Sequence, residues 1–197
     1  MSRIASNMLG VKVLYHNLKN ETNFSKATHR ISSGLRINHA SDDAAGLFVA
    51  QRIKSQFLGM ERSIKNMNDG ISLVRTAEGA IQEIRSMVLR IKELSVQMAN
   101  GIYNDSPDRD TSQKEVNQLL MEIDRLANNS NFNGVKLLDG TFQRVGIQSG
   151  HNYDERINLF LSDSTSKGLG VDSISIETQA NAKAAMATLE TALTTIS

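Results

Sequence analysis

From Asp43 to Asn100 the chain carries one apolar stripe and no proline. Ala50, Ile53, Phe57, Met60, Ile64, Met67, Ile71 and Val74 alternate steps of three and four. After one extra three-residue step the stripe resumes at Ala77, Ile81, Ile84, Val88 and Ile91. This spacing predicts a single helix that packs lengthwise against other helices, roughly 85 Å long at about 1.5 Å per residue. About two-thirds of the seam is expected to pack as internal core. A helix of that length does not fit a compact domain, so the expected fold is mainly α, an elongated antiparallel helical bundle or coiled coil.

A first helical pattern covers residues 3–33, with Ile4, Met8, Val11, Tyr15 and Leu18 on one face and Phe24, Ala27 and Ile31 on a drifting continuation. Gly34 is the expected stop. Ser41 is the expected N-cap of the long helix, with Asp42 and Asp43 in its first turn, where carboxylates oppose the helix dipole. Ser106-Pro107 reads as cap and first residue of a third helix running to about Asn128. Its apolar face is Val116, Leu119, Leu120, Ile123, Leu126 and Ala127, and it is expected to fold back along the long helix.

Then the period changes. Asn133-Gly134 and Asp139-Gly140 are hairpin turn dipeptides, and residues 135–138, 141–148 and 156–162 read as short strands. From about Thr178 a last helical pattern steps through Ala182, Met186, Leu189, Leu193 and Ile196, and is still running at Ser197, which reads as truncation.

Composition removes several classes. Twenty-two basic and 21 acidic residues are interspersed, leaving a net charge of +1 and no basic block for nucleic acid. Without cysteine there is no disulfide framework or thiolate nucleophile. His16, His29, His39 and His151 are not spaced as helical metal pairs. His151-Asn152-Tyr153-Asp154-Glu155 lacks the His-Glu-x-x-His spacing of a zinc protease. Asp42 and Asp43 are adjacent and diverge on a helix, so dipole stabilisation explains them better than carboxylate chemistry. No catalytic residue, metal or cofactor is expected. The N-terminus has no apolar core or cleavage site of a signal peptide, and no run reaches transmembrane length; composition by itself reads as cytoplasmic.

Four ordered stretches carry a resemblance: SSGLRINHASDDAAGL (Ser32–Leu47), NDGISLVRTAEGA (Asn68–Ala80), RIKELSVQ (Arg90–Gln97) and EIDRLANNSNFNGVKLLDG (Glu122–Gly140). In this order the chain resembles bacterial flagellin over about residues 1–162, and again at 175–197. The resemblance implies a non-enzymatic structural subunit of the extracellular flagellar filament, a homopolymer serving motility. It implies export without a cleaved signal peptide, with the flagellar export apparatus and a chaperone as partners, and no nucleic acid or membrane.

The implied layout is an N-terminal D0-like helix (1–33), a spoke-like linker (34–42) and a D1-like rod (43–197) with a small β-hairpin region. Compared with the family, the chain lacks large outer domains and the C-terminal arm. Ile4, Met8, Val11, Tyr15 and Leu18 are then the candidate assembly residues. Arg90 and Leu94, together with Glu115 on the next helix, resemble the spot that the animal Toll-like receptor for flagellin recognises. Arg90 and Leu94, four residues apart, are expected on one exposed face. The alternatives are a hook-filament junction protein of the same secreted system, or a secreted ligand of an innate immune receptor.

Overall fold

The computed structural model describes residues 8–142 and 144–196. The elements are α1 (Met8–Ser33), α2 (Ala44–Met98), α3 (Asp110–Asn129), β1 (Asn131–Phe132), β2 (Val135–Lys136), β3 (Val145–Gln148), β4 (Arg156–Leu159) and α4 (Gln179–Ile196). A π-helical turn, Asp105–Arg109, leads into α3. The chain divides into two compact units, the first ending at Gly59 and the second starting at Met60. The division falls inside α2.

In the first unit, α1 buries none of its described residues. Gly34 ends it at φ +68°, a left-handed conformation that suits glycine. The start of α2 differs from expectation. Asp43, not Ser41, is the cap: its Oδ1 accepts the Gly46 amide at 2.9 Å. Asp42 faces the other way, its Oδ2 accepting the Asn38 and His39 amides at 3.3 Å each and closing the preceding turn. Gly46 has no room for a Cβ, which would meet the Asp43 carboxylate and Ile37.

The second unit holds the core. Ile84, Val88, Ile91, Leu94 and Met98 of α2 meet Val116, Leu120, Ile123 and Ala127 of α3 and Ala182, Ala185, Leu189 and Ala192 of α4. Both α3 and α4 run antiparallel to α2. Arg109, at the head of α3, reaches the Met98 carbonyl, while Gln179, at the head of α4, donates to Ala99 O at 3.0 Å. At its other end α4 places Ile196 beside Glu78 and Ile81.

That reach sets where the α2 seam is covered. Ala77, Ile84, Val88 and Ile91 are buried, but Ile53, Phe57, Met60, Ile64, Ile71 and Val74 are exposed, Phe57 at 66%. The expectation that two-thirds of the stripe is internal is therefore too high. Before Ala77 the buried line switches to Ser63, Gly70 and Leu73. The β3–β4 hairpin packs on that line: a Cβ at Gly70 would run into Ile147, and Asn66 donates to Gln148 O at 3.4 Å.

Two turn expectations are also revised. Ser106 keeps extended backbone angles inside the π-turn and caps nothing; Asp108 instead accepts the Asn104 amide at 3.1 Å. Asn133-Gly134 does close the β1–β2 hairpin, at φ +50° and +79°. Asp139-Gly140 makes no hairpin. Asp139 accepts from the Thr141 amide and hydroxyl at 3.0 and 2.6 Å, a local turn that lets Leu137, Leu138 and Phe142 enter the core. The loop joining β3 to β4 is residues 149–155, and Val145 pairs with Leu159 and Gln148 with Arg156.

Candidate functional site

The α1 stripe foreseen for assembly is on the surface. Met8, Val11, Tyr15 and Leu18 are all exposed, joined by Leu9, Val13 and Leu14; Ile4 lies outside the described residues. An apolar band of this extent on one helix is far more than scattered surface residues provide, and it is the form an unsatisfied helix-packing seam takes.

The second predicted group divides. Arg90 and Glu115 meet across α2 and α3, with Nη2 to Oε1 at 2.9 Å and Nε donating at 3.0 Å, at 49% and 43% side-chain exposure. Arg90 also pairs with Glu93 at 3.2 Å. The Glu115 and Glu93 carboxylates hold the Arg90 guanidinium above its ordinary pKa. Leu94 does not join them. It is 3% exposed and part of the core, which corrects the expectation of a shared exposed face. The four-residue step advances the helix by about 40° beyond a full turn, and here that carries Leu94 under α3 and α4. The exposed apolar neighbours of Arg90 are Leu89 and Val96, which line a shallow groove with Lys92, Glu93 and Gln97.

Sequence reading missed Arg109. It is 3% exposed and donates Nε to Met98 O at 3.0 Å, Nη1 to Tyr103 O at 2.7 Å and Nη2 to Asn100 O at 2.9 Å. Asp105 neutralises it at 2.6 Å. One guanidinium thus satisfies carbonyls at and beyond the α2 C-terminus that no helical amide reaches. A basic residue eleven positions beyond a helix end carries no local signal of this role. Gln113 works similarly, accepting the Ile176 amide at 2.6 Å and donating to Ile174 O at 3.2 Å, which ties the segment before α4 to α3.

Among the described residues, no group of three or more His, Asp or Glu is placed to hold a metal ion. What stands out is surface: one well-packed helical unit, with apolar stripes on α1 and on α2 from Ile53 to Val74 left exposed. The family profile described as "Bacterial flagellin N-terminal helical region" matches residues 4–143. Phase 1 flagellin of Salmonella naestved and flagellin of Salmonella dublin are each 45% identical over 158 residues, 80% of this chain. The chain spans 31% of the length of these curated relatives. The crystal structure of Bacillus cereus flagellin superposes with a TM-score of 0.59 at 32% identity, covering 67% of this chain and 76% of that one. This chain belongs to the bacterial flagellin family.

Proposed function

We propose that the chain serves as a structural, non-enzymatic subunit of the flagellar filament, polymerising outside the cell through its long helices, with residues 1–33, 34–42 and 43–197 acting as D0-like helix, spoke and D1-like part. The flagellar export apparatus and its chaperone are the partners this implies. One observation carries the reading: the exposed apolar stripe of α1 and of α2 from Ile53 to Val74, set against a core that closes without them. Apolar area left in water at about 25 cal/mol per Å² favours association with other helices. The purified chain, mixed with sheared flagellin filaments, should co-sediment with them and appear in fibres by electron microscopy. Val11→Asp with Leu18→Asp should abolish this without changing the helical signal. A variant that co-sediments like the wild type would remove α1 from the assembly surface.

Recognition of the unpolymerised chain by the animal Toll-like receptor for flagellin is a second reading, favoured by the exposed Arg90–Glu115 pair on adjacent helices. Arg90→Ala should weaken binding of the receptor ectodomain by about tenfold or more, the scale of an interface anchor. Leu94→Ala acts through packing, so it should lower the melting temperature whether or not it lowers binding. Equal binding by wild type and Arg90→Ala would end this reading.

A further inference from the structure

The β3–β4 hairpin turns Val145, Ile147, Ile157 and Leu159 to one side, with Ile147 against α2, so Arg144, Gly146, Arg156, Asn158 and Phe160 share the other. At one end the Arg144 guanidinium lies 5.8 Å from the centre of the Phe160 ring; at the other, Arg156 lies 4.6 Å from Tyr153. Phe160 and Tyr153 are 68% and 78% exposed. Between them Gly146 leaves a floor bordered by Asn158 Oδ1 and the Arg156 stem, which a Cβ there would meet at 3.5 and 3.6 Å. Four strand steps separate the two ends, about 13 Å.

Neither arginine forms an ion pair among the described residues. Among the described residues, the Arg156 guanidinium donates to the Gln148 side chain, at 3.0 Å. Of the neighbouring acids, Glu155 is taken up by Asn152 at 2.7 Å and by His151 at 3.7 Å, which leaves Asp154 in the loop. The face therefore presents two cations outside any ion pair among the described residues, two exposed aromatic rings and the Asn158 amide.

We propose that this face is a docking surface for an acidic polysaccharide of the uronate type. Each feature has a use there. Guanidinium forks take carboxylates in paired hydrogen bonds, aromatic faces stack on the C–H faces of pyranose rings, and Asn158 can bond to hydroxyls. A small anion would engage one arginine and leave the other unmatched, whereas a chain with repeated carboxylates reaches both. A chain of glutamates alone would supply the carboxylates but no ring face for Tyr153 and Phe160 to stack on. The choice of a glycan over a nucleic acid rests on the extracellular reading proposed above.

The test is biolayer interferometry of the unpolymerised chain on immobilised hyaluronan, with neutral dextran, poly-glutamate and oligodeoxythymidine as alternative surfaces. Hyaluronan should be bound in preference to all three. Arg144→Gln and Arg156→Gln should each weaken binding about tenfold, the scale of a charged hydrogen bond. Gly146→Val fills the floor, suits a strand and leaves the charge intact, so it should weaken binding with unchanged circular dichroism. Lys167→Gln should have no effect. Absence of hyaluronan binding, equal binding to any of the other three polymers, or variants that bind like the wild type would each overturn the proposal. None of these readings depends on polymerisation, so a failure of filament assembly is a separate result.

Discussion

At the scale of single residues, three polar side chains do more for this fold than their exposure would suggest. Arg109 is the strongest case, because truncating it takes the guanidinium donors from the buried Met98 carbonyl and from the partly buried carbonyls of Asn100 and Tyr103. Arg109→Ala should cost about 1–3 kcal/mol in urea unfolding, the scale of a buried acceptor left without its donor. A loss under 1 kcal/mol would mean that water replaces the guanidinium. Asp43→Ala removes the cap on the Gly46 amide and should destabilise by about 1 kcal/mol, with Asp43→Asn retaining most of the stability. For Asp42 the prediction concerns pH. The Asn38 amide, then that of His39 and the charges of Arg30 and Lys26, hold its carboxyl below the usual value. A depressed folded-state pKa adds stability that is fully present above the unfolded pKa of about 3.9 and is lost as pH falls through the lower folded value. Amide signals of Asn38 and His39 should therefore shift in acid, below the ordinary aspartate range. Signals that titrate at the ordinary value would show that the two hydrogen bonds do not favour the ionised form in solution.

Elements were legible wherever periodicity was long, and least so where polar side chains or distant partners decide. The spans of α1, α2, α3 and α4 follow from steps of three and four, and the β1–β2 turn from Asn133-Gly134. Which carboxylate caps α2 was not legible, since Asp42 and Asp43 offer the same chemistry and only the path of the preceding turn separates them. Nor was the burial of the α2 stripe, because one helical pattern spans two environments. From Ala77 onward its residues join the core with α3 and α4, whereas Ile53, Phe57, Met60, Ile64, Ile71 and Val74 are exposed. Leu94 and Arg90 show the same limit: spacing set their angle on the helix, but the position of α3 decides which of them is covered. Hydrogen exchange should follow packing and not helical content. Amides of residues 84–98 should open only with global unfolding. Those of residues 44–57 should exchange orders of magnitude faster, since an unpacked helix is held by weak propensity alone. Uniform protection along α2 would show that the exposed stripe is covered in solution.

For the molecule as a whole, the proposed function has folding and association draw on different residues. The core of the second unit is assembled from α2, α3, α4 and the segments Leu137–Phe142 and Leu169–Ile176, and no described residue of α1 belongs to it. Deleting residues 1–33 should therefore leave a chain that melts cooperatively, with a melting temperature within a few degrees of the intact protein, because none of the described residues removed contributes buried apolar area to that core. The same deletion takes away the α1 stripe, including Val11, Tyr15 and Leu18, and should prevent incorporation into flagellin filaments. The two measurements constrain each other. A deletion that both unfolds and fails to polymerise would mean that α1 is part of the folding unit after all. One that stays folded and still enters filaments, seen by electron microscopy and co-sedimentation, would move the assembly surface onto the exposed stripe of α2 between Ile53 and Val74. Only a chain that remains folded while losing incorporation fits a subunit in which one seam closes the monomer and another waits for its neighbours.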